Sequence, residues 1–511
     1  MVNIATAQDR LAGVAQAQVH AQVQVALGQH RRQGGGGFDG HGRVGGHFTH
    51  GHHTIKSAGK AAGPLSSTGT RAQGFARQTR QRLCGQTYTP VMPSSFLTLL
   101  FAVFIIASLL TKLWLDTRQA RHVARHRDTV PAAFAPHVPA LSHQRAANYT
   151  LDKLRFGLLS TAVSTIVLIG WTLLGGLDAL NVVVRDAVLP AWGALPYQLV
   201  LLGAFTLIGT LIELPLEAWH TFRLEQKHGF NRMTWGMWLG DQAKQLLLGL
   251  LLGGPIAALI LWLMGAAGAQ WWLWAWGAWV AFSLLLMVIF PIFIAPLFNK
   301  FEPLKDQGLI DRVNALMARC GFTAKGFFVM DGSRRSAHAN AYFTGLGAAK
   351  RVVFYDTLLS KLTHGEVEAV LAHELGHFKH RHVLKRMVMM FALSLAGFAL
   401  LGWLSQQVGF YTGLGVRPNL NAPNDALALL LFMLALPPFA FFISPVFAYF
   451  SRKDEYEADA YACAQASGSD LASALIKLYK DNSSTLTPDP MYVRFHYSHP
   501  PASERLAAMQ A

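Results

Sequence analysis

From residue 96 onward the chain carries seven apolar runs, each long enough to cross a bilayer as a helix. They fall at 96–115, 157–177, 197–216, 245–265, 271–294, 387–404 and 426–450. In lipid every backbone N–H and C=O must be satisfied inside the protein, so runs of this kind predict helices that span the membrane. The remaining composition agrees: 52% hydrophobic and 14% charged residues over 511 positions is too apolar for a soluble enzyme of this length. Pro215, Pro291 and Pro445 lie near span ends, whereas Pro437 and Pro438 sit inside the last run and predict a kink there.

Lysine and arginine set the orientation. The connection after the first span holds Arg118, Arg121, Arg125, Arg127, Arg145, Lys153 and Arg155, while 178–196 has only Arg185. The first connection is therefore expected on the cytoplasmic side. Alternation then puts 217–244, 295–386 and the tail from 451 on that side too, and 266–270 and 405–425 outside. The N-terminus is expected to be extracytoplasmic, in a bacterial inner membrane.

Residues 1–91 differ in kind. They hold ten Lys or Arg against Asp9 and Asp39, a net +8 of the total +16, in a tract rich in Gly, Gln and His with no sustained apolar period. Such a segment cannot bury enough surface to offset its ordering entropy and reads as disordered. His47, His50, His52 and His53 suit adventitious metal binding. The apolar run that opens just after Met92 predicts a native start near that residue, with the arm as a mis-assigned extension. Basic charge without a recognition helix or an aromatic-basic platform argues against a nucleic-acid partner. Cys84, Cys320 and Cys463 are widely separated, so neither a disulfide framework nor a cysteine metal site is expected.

The largest segment between spans, 295–386, contains "GFFVMD", "ANAYFT" and "KRVVFYD", which read as three short strands, followed by a helix from about Thr363. That helix carries "LAHELGH". Residues i and i+4 of a helix share a face, so His373 and His377 can aim imidazole nitrogens at one ion. Zinc accepts such nitrogens and needs a further protein ligand, leaving one position for water. Glu374 lies beside that face and can take a proton from this water, the HExxH arrangement of zinc proteases. With twenty-one histidines in the chain the motif alone is weak. His364, His380 and His382 complete no such pair and read as solvated. A third ligand is expected after the seventh span, in "SRKDEYEADAYA", among Asp454, Glu455, Glu457 and Asp459. Glu455 and Asp459 are again i, i+4, so one can bind the ion while the other orients a ligand histidine.

Taken together, "HELGH", "SRKDEYEAD", "NAYFTG", "EQKHGFN", "PIFIAPLFNKFEPL" and "HYSHPPASERL" resemble the type I CAAX prenyl protease family of integral membrane zinc endopeptidases. The resemblance covers about 92–511. It implies a seven-helix membrane barrel enclosing a chamber, with a small β element and one Zn2+ on the cytoplasmic side. By motif position it implies His373, His377 and Glu455 as ligands, Glu374 as general base and Asp459 as the carboxylate behind a ligand histidine. It further implies Asn340 as a holder of the substrate backbone and His499 as the group that steadies the tetrahedral intermediate. From the residues alone, His496 and His499 are both plausible for that last role, an asparagine at a strand edge usually serves a turn, and Arg505 reads as an anchor for the tail. "LYKDNSSTLTPDPMY" and the compact loops look like bacterial members of the family.

The expected organisation is an N-terminal extension (1–91), five spans with cytoplasmic loops (92–294), a protease segment with the motif (295–386), two spans (387–450) and a C-terminal protease segment (451–511). The expected function is zinc-dependent hydrolysis of peptide bonds in a peptide or protein substrate, with or without a C-terminal prenyl group. A quality-control protease for misfolded or stalled proteins is the alternative. A non-catalytic membrane scaffold is disfavoured, because a scaffold has no need of Glu374. Oligomeric state is not legible.

Overall fold

The structure is a computed structural model that describes residues 93–322, 326–344 and 351–510. The N-terminal arm, its histidine cluster, Cys84 and the start expected at Met92 lie outside the described residues.

The apolar runs form long helices: α1 (Ser94–Arg125), α2 (Ala140–Trp171), a shorter α3 (Gly176–Trp192), α4 (Ala194–Glu225), α5 (Trp235–Ala266) and α6 (Gly268–Phe298). All but α3 are long and apolar enough to cross a membrane. Their outer surfaces stay apolar: Leu99, Leu110, Trp274 and Phe293 are each 60–65% exposed, a surface that only lipid would cover without cost. The helices overrun the expected spans by up to some seventeen residues, as where α2 begins at Ala140 rather than 157. The helix α3 stands where 178–196 was read as a connection.

A small mixed sheet follows. Its strands are β1 (Phe301–Pro303), β2 (Phe327–Met330), β3 (Ala341–Thr344) and β4 (Arg351–Tyr355), in the order β1-β2-β4-β3. Three of these are the strands read from the sequence; β1 is an addition, antiparallel to β2 with Phe301 opposite Met330. Between β1 and β2 lies α7 (Gln307–Cys320), capped by Asp306, whose Oδ1 accepts from the Leu309 N–H at 3.0 Å.

The motif helix α8 (His364–Lys379) starts with a capping box. The Thr363 hydroxyl accepts from the Glu366 N–H, and the Glu366 carboxylate accepts from the Thr363 N–H at 2.8 Å. Glu366 is buried and also receives Ser473 Oγ at 2.6 Å and Lys477 Nζ at 2.8 Å from α12 (Gly468–Asp481). Val367, Val370, Leu371 and Leu375 of α8 join Leu309, Val313 and Leu316 of α7 and Leu471, Leu475 and Leu478 of α12 in one apolar core. Each such side chain contributes about 1.5–3 kcal/mol on burial, which fixes α8 between α7 and α12.

After α9 (His382–Leu404) the last apolar run is sharply bent, as its prolines predict. It is α10 (Asp425–Ala440) and α11 (Ser444–Gln465), bent by 66° across a short break. Pro437 and Pro438 lie inside α10 just before that break. Proline lacks an N–H and crowds the carbonyl four residues back, so two in succession weaken the helix where it bends. The tail closes with α13 (Pro490–His496) and α14 (Ala502–Gln510).

Polar contacts gather at the two ends of the helical bundle. At one end Asp489 accepts from Arg118 of α1 at 2.9 Å, Arg335 clasps Asp241 of α5 at 2.9 and 3.1 Å, and Tyr149 of α2 donates to Glu225 of α4 at 2.7 Å. Phe230 there stacks on His338, 4.1 Å between centroids. These contacts tie together 116–156, 217–244, 295–386 and the tail, the segments expected to share a side. At the other end Asn181, Tyr197 and Asn419 form a buried hydrogen-bonded cluster, and Thr98 donates to the Gly413 carbonyl at 2.7 Å.

Candidate metal centre

The helices α8 and α11 cross at Gly376. A Cβ at that position would stand 2.9 Å from Ala458 Cα and 3.1 Å from its carbonyl oxygen, so only glycine admits this approach. The crossing brings the histidines of α8 against the carboxylates of α11. His373 Nε2 and His377 Nε2 are 3.2 Å apart. Glu455 closes the triangle, with Oε2 3.5 Å from His373 Nε2 and Oε1 3.3 Å from His377 Nε2. Donors held at 2.0–2.1 Å around a tetrahedral zinc lie about 3.3–3.4 Å from one another, close to the spacing of the two Nε2 atoms and of each one from the carboxylate oxygen turned toward it.

The surroundings fit a cation as well. His373, Glu374 and Glu455 are all buried. Glu374 Oε1 and Glu455 Oε2 accept no hydrogen bond among the described residues; Arg505 Nη1 stands 3.5 Å from the Glu455 oxygen, while a buried carboxylate oxygen left as Glu374 Oε1 is costly unless a positive charge faces it. Burial disfavours a charged His373 imidazole, but Asp459 and Glu455 more than offset this and bring it up to about 9. The two carboxylates thus favour positive charge beside His373. Burial raises the Glu374 carboxyl, partly countered by His373 and His377.

Each candidate carboxylate of the acidic run has a separate place. Glu455 alone touches both histidines of the triangle. Asp459 Oδ1 accepts from His373 Nδ1 at 2.7 Å, which leaves the Nε2 lone pair facing Glu455. Asp454 pairs with Arg386 at 2.9 Å, and Glu457 faces His380 and His382. Of the two tail histidines, His499 Nε2 lies 3.3 Å from Glu455 Oε1, whereas His496 packs among Tyr492, Phe495 and Phe441. Burial pushes His499 down to about 4, so its ring is neutral at pH 7. Asn340 is buried at the head of β3, an edge strand, where its Oδ1 accepts from the Ala341 N–H at 2.8 Å. No recorded contact among the described residues joins it to the triangle.

Two readings from the sequence need correction. His382 is not solvated: it is 1% exposed, and its Nδ1 lies 3.0 Å from Nδ1 of His377. Arg505 does more than anchor the tail. It is fully buried, and its Nε donates to Asp459 Oδ2 at 2.7 Å while Nη2 donates to Oδ1. His382 sits in the basic run "KHRH", and Arg505 in the tail segment "HYSHPPASERL". Their nearness to recognised motif residues was the only available signal.

Residues 119–300 match the family model described as CAAX prenyl protease N-terminal, five membrane helices, and residues 303–511 match peptidase family M48. A CAAX prenyl protease 1 homolog of Oryza sativa is 34% identical, over 80% of this chain and 96% of the relative. CAAX prenyl protease 1 of Saccharomyces cerevisiae is 32% identical over 80% and 94%. The crystal structure of S. mikatae Ste24p superposes with a TM-score of 0.74 at 31% identity, covering 82% of this chain and all of that one. The chain belongs to the type I CAAX prenyl protease family, the multi-pass membrane metalloendopeptidases of peptidase family M48.

Proposed function

We propose that this metalloendopeptidase uses one zinc ion held by His373, His377 and Glu455, and that its substrates are proteins carrying a prenylated C-terminus. The observation that carries the ligand assignment is the convergence of the two Nε2 atoms, 3.2 Å apart, on the Glu455 carboxylate, whose two oxygens lie 3.3 and 3.5 Å from them. Two imidazole nitrogens and a carboxylate are the donor set of catalytic zinc. When bound, the ion acts as a Lewis acid toward the scissile carbonyl and acidifies water.

The chain's own groups do the rest. Glu374, buried and with one oxygen free, takes the proton of the attacking water and returns it to the departing amine. His499, neutral and beside the triangle, donates an N–H to the oxygen that gains charge during attack. Asp459, itself fixed by Arg505, holds His373 in the tautomer that presents Nε2. Asn340 heads an edge strand to which an extended peptide can add through main-chain hydrogen bonds. The Lys/Arg distribution supports a site and C-terminus on the cytoplasmic face, and the compact loops support a bacterial inner membrane.

The test is Glu374→Gln. The variant is expected to keep its zinc and lose cleavage of a farnesylated C-terminal peptide in detergent by at least about a hundredfold. Normal turnover by that variant overturns the mechanism. Equal cleavage of the same peptide without its prenyl group would favour the quality-control alternative.

A further inference from the structure

Between α8 and α9 the chain turns a tight corner at Arg381, whose φ is +57°. A residue with a side chain enters that left-handed region at a cost of about 1–3 kcal/mol and stays there only where its surroundings insist. The corner brings together His380, which caps α8, and His382, which opens α9. Their rings stack at 5.5 Å with 16° between planes. Glu457, on α11 two residues beyond Glu455, reaches both. Its Oε2 is 3.1 Å from His382 Nε2 and 3.9 Å from His380 Nδ1. One donor atom from each of the three lies within 4.8 Å of the others. His380 and Glu457 are partly open to solvent, so an ion can arrive without disturbing the core.

The inner edge of this cluster touches the catalytic one. His382 Nδ1 is the atom that meets His377 Nδ1 at 3.0 Å. A histidine that presents Nε2 to a metal carries its proton on Nδ1, so His377 donates and His382 accepts. The second nitrogen of His382 then faces Glu457 and completes a line from one cluster to the other.

We propose that His380, His382 and Glu457 form a second zinc site, weaker than the catalytic one, whose occupancy lowers turnover through the His382–His377 contact. Two imidazoles and one carboxylate are ligands that borderline divalent ions such as zinc prefer. The donors stand farther apart than in the catalytic triangle and must close in around the ion, which makes binding weaker and exchangeable. An ion on His382 Nε2 displaces the proton held there toward Glu457 and solvent, and the neutral ring then carries its one N–H on Nδ1. His382 can no longer accept from His377; two N–H groups face each other across the 3.0 Å contact, and His377 is pushed from its ligand orientation. Excess zinc is thereby a reversible inhibitor. The inhibitory half of the proposal rests on His377 holding the catalytic metal; the existence of the site does not.

The experiment uses the full-length holoenzyme in detergent, equilibrated with buffered free zinc from nanomolar to high micromolar, with metal counted per chain and peptide cleavage followed in parallel. Wild type should take up one more zinc than His380→Ala. The histidines of residues 1–91 contribute equally to both and cancel in the difference. At low zinc the two should turn over alike, and half-inhibition of His380→Ala should need about tenfold more zinc. Glu457→Gln, a change of charge without size, should reproduce this. Identical metal counts in all three proteins overturn the site. A lost equivalent with an unchanged inhibition curve overturns the coupling. A fault in the catalytic assignment would look different: His377→Ala would keep its tight zinc, while the weaker one would still vanish with His380→Ala.

Discussion

His373 and His377 stand one turn apart on the same helix, yet the groups behind their Nδ1 atoms have little in common. Behind His373 lies Asp459, gripped by the buried Arg505 through two charge-assisted hydrogen bonds. Both oxygens of that carboxylate are committed and the ring has one orientation. Behind His377 lies another imidazole, His382, backed by Glu457 and Asp454, both in reach of solvent. A carboxylate between an arginine and a histidine can only accept. An imidazole between a histidine and a carboxylate accepts on one nitrogen and donates from the other, so its hold depends on a partner that solvent can reach. The difference separates a rigid ligand from an adjustable one within a single shell.

Asp459→Ala should give the largest effect. It removes the carboxylate that takes two hydrogen bonds from the buried Arg505 guanidinium, leaving Glu455 3.5 Å from Nη1, which costs about 3 kcal/mol of stability, and lowers zinc affinity about 10–100-fold. Thermal unfolding together with metal content after dialysis reads both. His382→Ala should cost about tenfold in zinc affinity, with a smaller loss of stability, since no charge is left unpaired. Equal losses from the two variants would erase the contrast.

Glu366→Gln should have the smallest effect and leave that contrast intact, because it acts at the start of the helix that carries both ligands. Burial would raise the Glu366 carboxyl, but Lys477, Ser473 and the Thr363 N–H outweigh it and hold the group below its ordinary value. A carboxyl depressed on folding stabilises above its unfolded pKa and loses that contribution as pH falls through its folded pKa. The variant should therefore be about 1 kcal/mol less stable than wild type near pH 7 and converge with it as pH drops below about 4. A gap that widened in acid would contradict the assignment.

Much of this was legible in the sequence because it depends on short-range arithmetic. An i, i+4 spacing puts His373 and His377 on one helix face whatever surrounds them, and an apolar run of membrane length announces a span. The ends of the spans were not legible, because α1 and α2 continue as helices into charged sequence such as "TRQARHVAR", where no change of period marks the bilayer edge. The strand β1 is three residues long and exists through its pairing with β2, a long-range fact. Burial was the other blind spot. "KHRH" reads as a solvated basic run, yet the left-handed turn at Arg381 folds His382 inward while His380 stays at the surface. Pro437 and Pro438 announced a disturbance, but not that the chain would resume at 66° as the helix bearing Glu455.

That bend makes α11 a lever. From Ser444, where the new direction begins, to Glu455 is about 16 Å of helix at 1.5 Å per residue, so a swing of roughly 3° would carry the carboxylate nearly 1 Å sideways. Metal–ligand distances tolerate only about 0.2 Å. The fulcrum lies among the apolar residues of the last span, so any rocking of that span would be felt, magnified, at the ion. A device of that kind works only if its far end is pinned, which gives a mechanical meaning to the glycine that lets α8 and α11 press backbone to backbone at Ala458.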